Sequence, residues 1–233
     1  MDKTRIAVLV SGGGTNLQAL IDAEKAGEIP HGEIKLVVAS KPGIFALERA
    51  SKAGINSVVV ERRAYHDKPS FEAALKKALV GNQIDMIVLA GFMLVLSANF
   101  VKDYPNRIIN VHPALIPSFC GDGFYGLHVH EAALKYGVKV TGATVHYVNE
   151  VTDGGKIILQ KAVDVLDGDT PEILQRRVME QAEWIILPEA TEIVAKRIST
   201  GSNSDSQQVL NDEDYGTDTL DKISLKRIFS RGK

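Results

Sequence analysis

The chain has very little cysteine: Cys120 is the only one in 233 residues. A lone cysteine excludes an intrachain disulfide and a cysteine-built zinc site, and it fits a reducing compartment, so a cytoplasmic location is expected. Charge of one sign is also missing. The 27 lysines and arginines nearly balance the 29 acidic residues, for a formal charge of -2. That balance gives no long-range field for a polyanion, and no nucleic-acid partner is expected. No apolar run reaches the roughly 20 residues of a membrane helix. The first residues enter strand-like sequence directly, without the pattern of a secretory leader. What is present is ordinary for a globular protein: 45% hydrophobic and 24% charged residues. The length allows one large domain or two small ones with a sizeable core.

Apolar runs alternate with helical patterns along the chain. Residues 5–11, 33–40, 57–61, 86–90 and 107–111 read as strands, and residues 15–26, 46–53 and 70–79 as helices between them. This order predicts an α/β fold with a doubly wound, mostly parallel sheet. From Val140 the pattern changes. Residues 140–148 and 156–165 read as strands joined through Asp153-Gly154-Gly155, a hairpin signal that adds an antiparallel C-terminal pair. A long helix is predicted to follow to about Ile198, with Asp169 or Thr170 as N-cap and Pro171 in its first turn. The segment from Gly201 to Ser206 reads as a linker. Residues 1–200 are therefore expected to form the folded domain. Residues 201–233, with segregated acidic and basic ends, are expected to be a flexible tail.

Three motifs carry chemistry. The first is Asn110-Val111-His112-Pro113. Alternation along a strand puts Asn110 and His112 on the same side, and Pro113 stops the strand there. An amide donor and a group that moves protons near neutral pH thus stand at a strand end, where open α/β sheets bind ligands. A solvated strand end is the plain alternative. The second is Ser11-Gly12-Gly13-Gly14-Thr15-Asn16, between a strand and a helix. Bare N–H groups and the helix N-terminus together suit an anion such as a phosphate. Leu17 occupies the place of a third glycine and no Gly-Lys-Ser/Thr follows, so neither a dinucleotide fingerprint nor a nucleotide P-loop is present. A single phosphate on a sugar fits better, and a tight turn is the alternative.

The third is Asp153, either a hairpin-turn residue or a carboxylate that orients a histidine or a water. Thr144 and His146 alternate onto one strand face, where they would back the site. His128 and His130 sit at a helix start and read as surface residues or caps. His31 and His66 read as loop residues. Cys120 has no partner base in sequence and is not assigned as a nucleophile.

These stretches, together with Val88-Leu89-Ala90-Gly91-Phe92-Met93 and Thr144-Val145-His146-Tyr147-Val148, resemble the phosphoribosylglycinamide formyltransferases, folate-dependent enzymes of purine synthesis. The resemblance runs in order over residues 4–198. It implies a doubly wound sheet with an antiparallel edge, and Asn110, His112 and Asp153 as the catalytic trio. Gly14, Thr15, Asn16 and Glu183 match the segments that hold the ribotide. Lys68, Met93, Leu94, Val95, Leu96, Asn110, Asn149, Glu150, Val151, Thr152 and Asp153 match the folate site. Leu94 stands where some relatives have arginine, so backbone or apolar contacts are expected there. Residues 118–126 exceed the short Pro-Gly turn of other members, and the tail has no counterpart.

The implied reaction moves a formyl group from 10-formyltetrahydrofolate, a cosubstrate, to the amine of phosphoribosylglycinamide. No metal, bound cofactor or membrane is implied, and the protein would be a monomer or homodimer. Two alternatives stay open: a formyltetrahydrofolate hydrolase using the same trio on water, and a non-catalytic phosphosugar-binding module.

Overall fold

The computed structural model describes residues 2–201, so all of the expected tail except Gly201 lies outside the described residues. Seven strands form one sheet: β1 (Thr4–Val10), β2 (Gly32–Ala39), β3 (Asn56–Val59), β4 (Met86–Leu89), β5 (Ile108–His112), β6 (Val140–Tyr147) and β7 (Ile157–Asp164). Their spatial order is β3-β2-β1-β4-β5-β6-β7. The first five strands run parallel, and β6 and β7 are antiparallel additions. This is the doubly wound, mostly parallel sheet with an antiparallel C-terminal pair that the sequence predicts.

Helices cover both faces. They are α1 (Thr15–Lys25), α2 (Phe45–Lys52), α3 (Lys68–Gly81), α4 (Ala98–Lys102), α5 (Leu127–Tyr136), α6 (Pro171–Val178) and α7 (Trp184–Thr200). Strand β1 shows why the sheet is buried on both sides. Ile6, Val8 and Val10 face a core built with Leu17, Leu20 and Leu187, whereas Ala7 and Leu9 face Phe71, Leu75 and Phe100. A continuous apolar run is what a doubly covered parallel strand requires.

The chain order reverses between β1 and β4. The loops after these two strands diverge there and leave a crevice at their carboxyl ends, the usual ligand position of such sheets. The two loops are tied together. Ser11 N–H donates to the Gly91 carbonyl at 3.1 Å, and Ser11 Oγ accepts from Met93 N–H at 3.0 Å.

The C-terminal half adds detail to two expectations. The predicted long helix is present from Pro171 to Thr200, and residues Met179–Glu183 form a wider π-type turn within it, between α6 and α7. Pro188, inside α7, has no N–H for the carbonyl one turn back, so the winding there is free to change. Thr170 is the N-cap of α6, its oxygen accepting from Ile173 N–H. Asp169 instead binds Arg177 and Leu166 N–H. The predicted hairpin is formed: β6 and β7 pair antiparallel, and Asp153 lies in their connecting loop, residues 148–156, at φ +55°.

Thr144 plays a local role that the sequence does not show. It is fully buried, and its hydroxyl donates to the Ala114 carbonyl at 2.6 Å. It also accepts from Ile116 N–H and from Gln160 Nε2. Thr144 thereby holds the chain where it leaves β5. Thr144→Val keeps the shape but leaves these buried groups unpaired. It should lower the unfolding free energy by about 2 kcal/mol, read from urea midpoints, whereas Thr144→Ser should recover most of the loss.

Candidate active site

The carboxyl ends of β1, β4 and β5 open into a cleft of about 740 Å³, a size that suits small-molecule ligands. Register places the reactive groups. Strand β5 pairs with β6 so that Asn110 lies opposite His146 and His112 opposite Thr144. Asn110, His112 and His146 all line the cleft, as does Asp153 from the β6–β7 loop.

Hydrogen bonds set the state of each ring. His112 Nε2 lies 2.8 Å from the Phe119 carbonyl. A carbonyl only accepts, so Nε2 carries the hydrogen and the free lone pair sits on Nδ1. That nitrogen faces Asp153 Oδ2 at 3.5 Å. A proton taken up by His112 therefore arrives beside a carboxylate. In His146, Nδ1 donates to the Tyr147 carbonyl at 2.9 Å, which leaves Nε2 to accept from the Asn110 amide at 3.2 Å. His146 Nε2 also lies 3.6 Å from Asp153 Oδ1. The amide nitrogen of Asn110 keeps a second hydrogen free for a ligand.

Burial dominates the electrostatics. It pulls the His112 imidazole below its ordinary value, although Asp153 and the Phe119 carbonyl act in the opposite sense. Burial pushes Asp153 upward, but His146, the Gly121 N–H and His112 outweigh it and hold the carboxyl below the usual range. The pair is thus a buried carboxylate beside a neutral imidazole. Burial and the Asp153 charge push the Cys120 thiol up, which supports leaving it unassigned as a nucleophile.

Across the cleft, Asn16 Nδ2 donates to Glu183 Oε2 at 2.6 Å. Both residues are buried and both line the cleft. Burial raises Glu183, opposed by the Asn16 hydrogen bond. Asn16 Oδ1 has no partner among the described residues. The π-type turn ends at Glu183. A wider turn re-aims one side chain relative to a regular helix, and such turns recur at functional sites.

The glycine loop precedes this pair. Gly14 caps α1 at φ +71°, and a Cβ there would lie 2.7 Å from Ala46 Cβ, so glycine is required. The first turn of α1 carries no acidic residue, which leaves its partial positive charge uncancelled.

The structure brings most of the sequence-derived positions together. Thr15, Asn16, Met93, Leu94, Val95, Leu96, Asn149, Glu150, Val151, Thr152 and Glu183 line the same cleft as the trio. Gly14, Lys68 and Thr144 do not line it. Gly14 shapes the turn, Thr144 lies beneath, and Lys68 opens α3. His128 is exposed and pairs with Glu131, as a surface residue would. His31 binds Glu192.

His130 departs from the surface reading. It is 1% exposed, lines the cleft, and has no hydrogen-bond partner on either nitrogen among the described residues. A signal for this was present in the sequence: Ala133 and Leu134 follow it at helical spacing, which puts His130 on the inner face of α5. Gln175 and Met179 also line the cleft and were not foreseen. Among the described residues, no group of three His, Cys, Asp or Glu is placed to hold a metal, and no helix is long and apolar enough to cross a membrane.

This is an α/β protein with Asn110, His112, His146 and Asp153 gathered in a cleft at the strand ends, beside a glycine turn. It belongs to the formyl transferase family, whose sequence model matches residues 4–191. The chain is 42% identical over 183 residues to the trifunctional purine biosynthetic protein adenosine-3 of Drosophila melanogaster, covering 78% of this chain and 13% of that protein. It is 40% identical over 180 residues to phosphoribosylglycinamide formyltransferase of Escherichia coli, covering 77% of this chain and 82% of the relative. Glycinamide ribonucleotide transformylase 1 from Symbiobacterium toebii superposes with a TM-score of 0.78 at 42% identity, over 83% of this chain and 88% of that one. The chain thus spans less than a fifth of its trifunctional relatives and most of its single-function ones.

Burial and the neighbouring His112 hold His130 down to about 4 from an ordinary 6.5. The unfolded chain takes up this proton near 6.5, and the folded chain only near 4. Stability is therefore fully present above 6.5 and is lost as pH falls through this window. His130→Phe should narrow the difference in urea midpoint between about pH 7 and about pH 4.5. An unchanged difference would show that other groups carry the acid sensitivity.

Proposed function

We propose that this protein transfers a formyl group from 10-formyltetrahydrofolate to the glycinamide amine of phosphoribosylglycinamide, in de novo purine synthesis in the cytoplasm. The observation that carries the reading is the buried Asp153 carboxylate between His112 and His146, with Asn110 in the same cleft as the glycine turn and Glu183. Those two ends suit two different substrates. The glycine turn, Thr15 and Asn16 take the phosphate, and buried Glu183 receives the amine end of the ribotide. The apolar segment of Met93, Leu94, Val95 and Leu96, facing residues 149–153, takes the folate. Lys68 lies apart from this cleft and is assigned to the folate tail by family resemblance alone.

The amine nitrogen attacks the formyl carbon, and the carbonyl electrons move to oxygen. The free hydrogen of the Asn110 amide stabilises that oxyanion, a contribution of a few kcal/mol for a preorganised donor. The bond from carbon to the folate nitrogen then breaks. That nitrogen gains a proton, and the former amine loses one. The His112–Asp153 pair holds the proton for this exchange. Nε2 is committed to Phe119, so the proton leaves from Nδ1 along the Asp153 carboxylate, directly or through one water. Binding of the remote phosphate places the amine for attack. The folate is consumed as a cosubstrate, so the reaction calls for no resident cofactor.

Formyl transfer in this reading depends on the acceptor. Turnover of 10-formyltetrahydrofolate should require the ribotide, and Asp153→Asn should lower kcat by about a hundredfold. His112→Ala combined with Asp153→Asn should cost far less than the product of the single losses, since the two act as one unit. Formate release without ribotide, at the rate seen with it, would make the protein a hydrolase instead.

A further inference from the structure

The segment after β5 closes back onto the reactive pair through its main chain alone. The Phe119 carbonyl accepts from His112 Nε2–H at 2.8 Å. Two residues later, Gly121 N–H donates to Asp153 Oδ2 at 2.9 Å, the same oxygen that faces His112 Nδ1. Phe119 and Gly121 both have left-handed backbones, with φ +49° and +86°. This pair of turns points a carbonyl and an N–H to the same place. The span is anchored on either side. The Phe119 ring packs on Phe124 and Tyr136, and Ser118 N–H donates to the Leu115 carbonyl.

We propose that Phe119–Cys120–Gly121 is a main-chain clamp that fixes the tautomer of His112 and the rotamer of Asp153 at once, with Gly121 as its positioning residue. The inference rests on the reading of His112 and Asp153 as the reacting pair. With the Phe119 carbonyl in place, the lone pair of His112 stays on Nδ1. With the Gly121 N–H in place, the carboxylate stays turned toward that lone pair. Without the clamp the ring can exchange tautomers and the carboxylate can rotate into the open cleft.

Glycine is needed at 121 for its backbone and not for space. A Cβ there would meet nothing within 4 Å, whereas φ +86° is a conformation that side chains rarely adopt. A β-branched residue is the least able to adopt it, and asparagine tolerates the left-handed region best among the others. The groups facing His112 are Asp153 from the β6–β7 loop, His146 from β6 and His130 from α5, with the Cys120 thiol close to Asp153. The two contacts supplied or steadied by the clamp, the Phe119 carbonyl and the Asp153 charge, both raise the His112 titration midpoint. Loss of the clamp therefore lowers that midpoint.

The test compares Gly121→Val, Gly121→Asn and Asp153→Asn in the full chain. It reads kcat, KM for the ribotide, and the His112 imidazole NMR titration assigned by its loss in His112→Ala. Gly121→Val should lose about tenfold or more in kcat, with ribotide KM within about threefold. Its His112 midpoint should fall by about half a pH unit or more. Gly121→Asn should restore both values, and Gly121→Ala should show the same loss in smaller measure should the valine variant not fold. A wild-type kcat and midpoint in Gly121→Val, or an equal loss in Gly121→Asn, overturns the clamp. Normal turnover in Asp153→Asn overturns the reading of the pair instead, and the His112 midpoint in the Gly121 variants then decides the clamp by itself.

Discussion

A carboxylate kept charged away from water is the constraint on which the site depends. Asp153 is almost buried, and removing a charge from water costs several kcal/mol unless hydrogen bonds and opposite charges replace the lost solvation. The Gly121 N–H supplies one hydrogen bond, and a proton taken up by His112 or His146 arrives on the nitrogen that faces the carboxylate. Each supplier comes from a different element. The β5 strand, the β6 strand and the loop after β5 must all be in place before the carboxylate is stable in the cleft. The left-handed backbone of Asp153 itself shows the loop shaped around this one side chain.

The sheet makes that convergence possible. Parallel strands deliver the glycine turn after β1 and the apolar segment after β4 to the same edge, and Ser11 links the two through Gly91 and Met93. The turn to antiparallel pairing at β6 then lays His146 across from Asn110. A parallel strand in that position would place its own end in the cleft. An antiparallel one presents His146, next to its last residue, and carries the chain on to the β6–β7 loop. Thr144, one pair further along the same face, lies beneath the site and secures the exit of β5.

Much of this was legible in advance where the signal was local. Alternation put Asn110 and His112 on one side, glycine and helix patterns located the turn between β1 and α1, and the change of pattern at Val140 marked the antiparallel pair. What was not legible shares a cause. The predicted long helix forms, but its π-type turn at Met179–Glu183 did not show, because periodicity does not detect a single widened turn. His130 read as a surface residue because a helix start favours caps, while its inward direction depends on what α5 packs against. The resemblance matches Lys68 to the folate tail, and it opens α3 without lining the cleft, so no local pattern placed it.

The sequence by itself determined the α/β alternation, the strand-end placement of Asn110 and His112, and the need for glycine in the turn before α1. Those follow from backbone sterics and from the two- and 3.6-residue repeats of strand and helix. Only the tertiary structure decided which nitrogen of His112 carries its hydrogen, which residues surround Asp153, and that Asn16 and Glu183 meet across 167 positions of chain. These depend on strand register, loop conformation and burial, which arise when separate segments pack, and no local stretch of sequence encodes them.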